Sequence, residues 1–366
     1  MDDILYLGRG VSGQLHERCG HPQLLRWHQL PEICTPRELA AALELPLPRL
    51  RWLAYHSERA TRPHYTCRMI PKRGGGERLL SVPRSDLRRV QTWIRTEILD
   101  RLAAEDPAQG FVKGRNVLTN ALPHCGQWLV IRLDLADFFP SIGFGRVRAV
   151  FRSVGYSPAA ATILALLCTE CPRVPEESDA GLVWRATGPR GLPQGAGTSP
   201  ALSNLVCRNL DRRLRGLAAR LHLRYTRYAD DLTFSGGKQL QPKVGWLLAR
   251  VREIVESEGF LLRPEKTRVQ RRNVAQKVTG LVVNDRPGVP RAEVRRLRAM
   301  LHRARTEGLE AQNWDGRENF RAWLQGRIAW IGQSRSEAGE ILKQAYLAVQ
   351  SRRDRDAVPS VSFGTE

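Results

Sequence analysis

The strongest constraint on the fold is a pair of adjacent carboxylates, Asp230 and Asp231, inside a largely aromatic and apolar run from Tyr225 to Ser235. The run predicts two short extended segments that meet at the pair. Neighbouring negative charges raise each other's pKa unless a cation neutralises them. An isolated pair would suit a solvent-exposed turn, but these flanks are too apolar for that. We therefore expect a hairpin tip that offers oxygen ligands to a hard divalent cation such as Mg²⁺.

A second apolar strand, predicted from Trp128 to Leu135, carries Asp134 near its end. Three carboxylates can hold two metal ions about 4 Å apart, one activating a hydroxyl and the other stabilising a leaving pyrophosphate. Asp134 is therefore the natural third ligand, and we expect it beside Asp230 and Asp231 in the folded chain.

The charge of the chain points to a polyanionic partner. Its 366 residues include 58 Lys and Arg against 37 Asp and Glu, a net charge of +21. Such a surplus favours nucleic acid, with a generally basic surface as the alternative. The segment from Leu261 to Arg305 holds thirteen basic and three acidic residues, so the positive charge is concentrated towards the carboxyl end.

The apolar and cysteine patterns exclude other classes of protein. No stretch approaches the roughly 20 apolar residues that a membrane helix needs, and the acidic start lacks a signal-peptide pattern. We expect a cytoplasmic protein with no membrane partner. Seven cysteines do not suggest a disulfide framework, and the lone C-x-x-C of Cys168 and Cys171 is better explained by buried thiols than by structural zinc.

Helical patterns flank the central strands. Thr35 to Glu38 forms a capping box with proline at the first helical position, and a second short helix carries Leu50 and Leu53. This helix pair is more simply a support for the next domain than a DNA-reading helix-turn-helix. A hairpin with a basic rim is predicted around Gly74 to Gly76, a helix over 86–104, and further helices over 292–305, 317–331 and 338–349.

Three motifs together resemble the boxes of reverse transcriptases, in the family's order. Tyr228 to Asp231 resembles the active-site box, and Leu133 to Ile142 the box that supplies the first aspartate. The segment from Gly191 to Asn204 resembles the third box, although this chain has Gly197 where the family has proline. The likeness covers roughly residues 65–285. Two further segments, Asn120-Ala121-Leu122-Pro123-His124 and Val278-Thr279-Gly280, resemble signatures of retron-type reverse transcriptases.

The resemblance implies an α+β fold, the right-hand polymerase. An N-terminal helical element would occupy residues 1–64, and the fingers with an antiparallel-sheet palm residues 65–285. A helical thumb with a frayed C-terminus would occupy residues 286–366.

The resemblance also implies roles for residues around the carboxylates. Asp134, Asp230 and Asp231 would bind two Mg²⁺ ions, with the backbone carbonyl of Leu135 as a further ligand. Lys266 matches a lysine proposed to protonate the leaving pyrophosphate, a surface phosphate contact being the alternative.

Other matched residues would contact the nucleotide or the RNA. Phe139 would clash with a ribose 2′-OH and so select deoxynucleotides, unless it simply packs in the core beside Phe138. Gln194 would lie against the incoming nucleotide and template, and Lys72 and Arg78 would grip the triphosphate, with Arg73 not distinguished from them. For His124 the alternative is a structural histidine, and for Thr279-Gly280 it is a plain β-turn. The candidates for RNA binding or a purely family-signature role are Asn120, His124, Val278, Thr279 and Gly280.

The implied function is that of a retron-type RNA-directed DNA polymerase. It would extend the 2′-OH of a guanosine in a structured noncoding RNA and make branched RNA–DNA (msDNA). Its partners would be that RNA, the DNA product, deoxynucleoside triphosphates and, in anti-phage defence, an effector protein. The alternatives are a group II intron, CRISPR-associated or diversity-generating reverse transcriptase, or a catalytically dead scaffold that binds nucleic acid.

Overall fold

A computed structural model describes residues 6–13, 15–71, 75–178 and 181–356. Lys72, Arg73 and most of the predicted frayed C-terminus lie outside these ranges. Within them the helices are α1 (Pro22–Trp27), α2 (Pro36–Ala42), α3 (Leu47–Ala54), α4 (Ser85–Glu97), α5 (Val117–Ala121), α6 (Phe138–Ser141), α7 (Phe144–Ser153), α8 (Pro158–Cys168), α9 (Ser199–Val206), α10 (Arg208–Arg220), α11 (Val244–Ser257), α12 (Arg291–Glu307), α13 (Phe320–Ser334) and α14 (Ser336–Asp356).

The strands of the described ranges pair antiparallel. They are β1 (Arg59–Ala60), β2 (Tyr65–Pro71), β3 (Glu77–Pro83), β4 (Leu129–Asp134), β5 (Arg173–Ser178), β6 (Gly181–Ala186), β7 (Arg224–Tyr228), β8 (Asp231–Gly236), β9 (Arg268–Arg271), β10 (Lys277–Val278) and β11 (Leu281–Val282). The central sheet has the order β7-β8-β4-β9, and the smaller sheets are β1-β6-β5, β2-β3 and β10-β11. This central sheet is the palm.

The palm sheet separates the two clusters of buried apolar residues found within the described ranges. Side chains alternate across a strand, so Leu129, Ile131 and Leu133 of β4 join the core that contains α10 and α11. Val130 faces the opposite way and packs with Val278 in the core of the thumb helices α12, α13 and α14. The near-continuous apolar character of β4 follows from this burial on both faces.

The N-terminal helices support the domain that follows them. Thr35 forms the predicted capping box with Glu38 at the start of α2. Helices α2 and α3 pack against α8, whose eleven residues are all buried. Their apolar side chains belong to the same core as the palm. The packing therefore favours the interpretation of the helix pair as a support.

The fingers are tied to the third motif. The β2–β3 hairpin surrounds the predicted glycine tip, and the backbone N–H of Ser81 on β3 donates to the carbonyl of Gln194 at 2.7 Å. The helix predicted over 86–104 is shorter than expected, because α4 ends at Glu97 and a separate 3₁₀ turn covers Leu99–Arg101.

The predicted α+β right-hand fold with fingers, palm and helical thumb is confirmed. The domain boundaries after residues 64 and 285 remain predictions. Across the described residues, no helix combines the length and apolar character needed to cross a bilayer. Cys168 and Cys171 are buried free thiols.

Candidate active site

The palm sheet brings the three predicted carboxylates to one end. Asp134 closes β4 and stands directly opposite Asp231, which opens β8. Asp230 lies in the turn just before β8, and its carbonyl accepts a hydrogen bond from the backbone N–H of Leu135 at 3.0 Å. Strand register alone therefore places residues almost one hundred positions apart in the sequence side by side.

Cationic side chains lie against two of these carboxylates. Lys266 Nζ is 3.0 and 3.1 Å from the two carboxylate oxygens of Asp134. Arg132 Nη2 contacts both oxygens of Asp231 at 3.0 and 3.2 Å. Arg263 Nη2 donates to Asp137 at 2.6 Å. Arg132 and Arg263 have no assigned role from sequence, although the position of Arg132 in an apolar strand beside Asp134 was a usable signal.

The surroundings of Asp230 disfavour its ionised form. Burial, and then the charges of Asp134 and Asp231, raise the pKa of Asp230 to about 6, while Lys266 acts in the opposite direction. A carboxylate whose ionised form is this costly gains strongly from an added cation.

The carboxylate oxygens of the three aspartates are suitable ligands for a hard divalent ion, although they are not already arranged around one metal position. Among the described residues, no three acidic, histidine or cysteine side chains already form a metal-binding group. Asp134 and Asp231 instead contact Lys266 and Arg132. Metal binding would therefore exchange these contacts for oxygen–metal bonds. Mg²⁺ prefers oxygen ligands such as carboxylates. The raised pKa of Asp230 shows that its carboxylate would gain from a nearby cation.

The two adjacent phenylalanines, Phe138 and Phe139, differ in burial. Asp137 adopts a left-handed backbone conformation (φ 42°) just before the two phenylalanines. Phe138 is buried and stacks on Phe260 at 5.9 Å between ring centroids. Phe139 is only partly buried and lies 6.1 Å from the exposed ring of Phe111. Phe139 also packs against the edge of the core, with its ring centroid 5.3 Å from that of Phe138, so the structure supports the core-packing alternative while part of the ring stays exposed.

The loop of the third motif needs glycine beside Gln194. Gly195 has φ +118°, and a Cβ atom there would lie 2.9 Å from the carbonyl oxygen of Ser81. A side chain at this position would push the loop away from the fingers. Arg78 is exposed on β3, opposite Ile70, while its predicted companion Lys72 lies outside the described residues.

The retron-type signature residues are mostly buried. The ring nitrogens of His124 contact Ser235 Oγ at 2.7 Å and Thr226 Oγ1 at 2.8 Å, which links β8 and β7. Burial lowers the pKa of His124 to about 3, so its ring is neutral. Asn120 Nδ2 donates to Thr279 Oγ1 at 3.3 Å, across 159 positions of sequence.

This burial favours the structural alternative for the signature residues. Asn120, His124 and Val278 have no exposed surface and cannot touch RNA in this structure. Thr279 and Gly280 form the β10–β11 turn with φ 45° and 87°, and Gly280 is exposed. Together the two signatures join the palm to the thumb core, so a structural role explains them better.

The sequence of this chain is similar to known proteins of one family. A family profile described as reverse transcriptase (RNA-dependent DNA polymerase) matches residues 70–284. The Mx162 and Mx65 retron reverse transcriptases of Myxococcus xanthus are each 45% identical to this chain. The matches cover 84% of this chain and 65% of the Mx162 enzyme, and 87% of this chain and 73% of the Mx65 enzyme. The chain belongs to the retron-type reverse transcriptases.

The family is one of RNA-directed DNA polymerases. The chain spans slightly less than two thirds of the Mx162 retron reverse transcriptase. Among solved structures, apo telomerase from Candida tropicalis aligns with a TM-score of 0.45 and 12% identity, over 80% of this chain and 57% of that chain.

The buried histidine predicts a pH dependence of stability. The pKa of His124 is about 3 in the folded reverse transcriptase and near its ordinary value of 6.5 when unfolded. The unfolded chain therefore binds more protons between these values, and stability falls as pH drops below 6.5, by at most about 1.4 kcal/mol per pH unit. In urea titrations, His124→Gln should be less stable at pH 7 but should lose less stability between pH 6.5 and 5. Parallel curves for the two proteins would contradict this assignment.

The raised pKa of Asp230 predicts that removing its charge stabilises the metal-free protein. Asp230→Asn should raise the free energy of unfolding at pH 7 in chelator by on the order of 1 kcal/mol, because the ionised form is costly above the folded pKa of about 6. The gain should vanish near pH 4, where Asp230 is protonated in the folded state. The matched control is Asp137→Asn, which removes the charge of an exposed carboxylate just after β4. An equal gain for both variants would refute the electrostatic explanation.

Proposed function

We propose that this reverse transcriptase copies RNA into DNA at the carboxylate end of the palm sheet. The observation that carries the proposal is the convergence of Asp134, Asp230 and Asp231, with Lys266 against Asp134. Two bound Mg²⁺ ions would supply the activation of the primer hydroxyl and the stabilisation of the pyrophosphate. The three aspartates would hold these ions, and the backbone carbonyl of Leu135 would be a further ligand.

Lys266 is suited to a proton-donating role. Its ammonium group is 3.0 Å from Asp134 and its side chain is 46% exposed, so it borders both that carboxylate and solvent. From this position it would donate a proton to the leaving pyrophosphate oxygen. The alternative interpretation is a surface phosphate contact, and the position of Lys266 against Asp134 supports the proton-donating role.

The nucleotide would lie between the fingers and Phe139. The partly exposed ring of Phe139 would exclude a ribose 2′-OH, and Gln194 would border the nucleotide through the loop held by Gly195. Arg78 on the exposed face of the hairpin would contact the triphosphate, together with Lys72.

The finer retron function rests on the kinship with retron enzymes. In this proposal a structured noncoding RNA supplies both the template and a 2′-OH primer, and the product is branched msDNA. The arginine-lined groove between α12 and α14, with Arg291, Arg295, Arg298 and Arg335, would hold the RNA backbone by phosphate contacts. Action in the cytoplasm, with an effector protein in anti-phage defence, belongs to the same proposal.

The product distinguishes the retron function from the alternatives. DNA that copurifies with the protein should be short and joined to a single small RNA by a 2′ branch, as sequencing after debranching would show. Bulk cellular RNA alone would favour another class of reverse transcriptase or a scaffold that only binds nucleic acid.

Loss of the turn carboxylates should abolish synthesis. Asp230→Asn and Asp231→Asn remove charge from the proposed metal ligands with little change in shape, so extension of oligo(dT) on poly(rA) with dTTP and Mg²⁺ should fall below detection. Binding of the primed template, measured by fluorescence anisotropy, should persist. Asp137→Asn serves as the matched control and should stay active. Normal extension by Asp230→Asn would overturn the metal assignment.

Phe139 should control sugar selection. Phe139→Ala removes the ring that would meet the 2′-OH, so the preference for dTTP over UTP on poly(rA) should fall by about tenfold or more. Because the ring is partly exposed, the melting temperature should change little. Phe138→Ala should instead destabilise the fold by about 3–5 kcal/mol and leave the preference intact. An unchanged preference in Phe139→Ala would exclude the steric role.

A further inference from the structure

A fully buried ion pair lies beneath the turn that carries Asp230. Arg227 of β7 and Asp211 of α10 both have no exposed side-chain surface. Arg227 Nε donates to one oxygen of Asp211 at 2.9 Å, and Nη2 donates to the other at 2.7 Å. The hydroxyl of Tyr225 also donates to Asp211, at 3.0 Å. A bidentate pair of this kind fixes the guanidinium plane as well as its charge.

The remaining arm of this guanidinium reaches the turn itself. Arg227 Nη1 donates to the carbonyl of Ala229 at 3.2 Å and to Asn204 Oδ1 at 3.0 Å. Ala229 has φ +54°, in the left-handed region that residues other than glycine seldom adopt. Such a conformation persists only where surrounding contacts determine it. The guanidinium supplies one of those contacts, immediately before Asp230.

The opposite side of the turn is held by the same group of residues. Asn204 Nδ2 donates to the carbonyl of Gly110 at 2.9 Å. Gly110 lies so close to the turn that a Cβ atom on it would be 2.8 Å from the backbone nitrogen of Ala229. The contacts therefore close a ring from Ala229 through Arg227, Asn204 and Gly110 back to Ala229.

We infer that Asn204, Asp211 and Arg227, here called the turn brace, are positioning residues that set where the Asp230 carboxylate stands relative to Asp134. The hydrogen bonds of these three residues do not reach the active-site aspartates directly. They act through the backbone of Ala229. This inference rests on the proposed role of Asp230 in catalysis and extends it to a buried layer that sequence reasoning did not assign.

The brace requires arginine at position 227. Its planar fork spans Asp211, Asn204 and the Ala229 carbonyl at once, whereas a lysine ammonium is a single point charge on a flexible chain. Arg227→Lys can keep the ion pair with Asp211 but cannot hold all three partners in one plane. The turn should then shift while the buried charge remains paired.

Steady-state kinetics on oligo(dT)-primed poly(rA) test this inference. In Arg227→Lys we expect kcat to fall by about 10- to 100-fold, because small displacements of reacting groups are costly. The KM for dTTP and the affinity for primed template should stay unchanged. The Mg²⁺ concentration for half-maximal rate should rise several-fold, which a general loss of stability would not produce.

A matched control separates positioning from stability. The side chain of Arg173 is only 7% exposed and pairs with Glu170, and its other nitrogens donate to the carbonyls of Trp184 and Ser57, away from the turn. Arg173→Lys should lower the melting temperature to a similar extent and keep kcat and the Mg²⁺ dependence. A wild-type kcat in Arg227→Lys would overturn the inference, as would an equal kinetic loss in both variants.

Two further variants keep the result decisive. If Arg227→Lys does not fold, Asp211→Asn replaces it, because asparagine keeps the shape of the acceptor. Asp211→Asn should show a smaller loss of kcat at unchanged KM. A folded Asp211→Asn with normal kcat would refute the brace. Asp230→Asn is assayed alongside. Activity in Asp230→Asn would show that the proposed function has failed, whereas an inactive Asp230→Asn with a fully active brace variant would reject the brace alone.

Discussion

Mutual repulsion among three carboxylates at the end of one sheet is the constraint on which the rest of this structure depends. Asp134 and Asp231 face each other across β4 and β8, and Asp230 adjoins them with a pKa raised to about 6. Such an arrangement persists only if the backbone that carries it is rigid and cations lie close by. The structure meets both conditions, with apolar packing on either face of the palm and with Lys266 and Arg132 at the carboxylates.

Rigidity of the palm also explains why the retron-type signatures are buried. His124 connects β7 and β8 by two hydrogen bonds, and Asn120 connects the segment before β4 to the β10–β11 turn. The thumb core thereby rests on the same sheet that carries the carboxylates, through Val130 and Val278. A motif that distinguishes one class of reverse transcriptase can thus act through the relative placement of palm and thumb, without touching RNA.

The sequence was sufficient for features that depend on local patterns. Alternating apolar residues located β4, β7 and β8, and carboxylates in such runs identified Asp134, Asp230 and Asp231, because a charge within an apolar strand is costly unless a partner neutralises it. Contacts between distant residues could not be read in this way. Lys266 lies 132 positions from Asp134, and nothing near Asp211 signals that its partner is Arg227. The burial of His124 was likewise only one of two open interpretations, since its partners lie on other strands.

Arg227 and Lys266 act in different ways near the active site. Beneath the turn, Arg227 is fully buried and its fork satisfies Asp211, Asn204 and the Ala229 carbonyl together, which suits a contact that never changes. At the carboxylates, Lys266 is 46% exposed and contacts Asp134 with a single ammonium group. A contact of that kind can be exchanged for a metal ion without unsatisfied donors being left in the interior. The buried contacts of Arg227 keep the shape of the active site fixed, and the exposed contact of Lys266 can be exchanged when a metal ion or substrate binds.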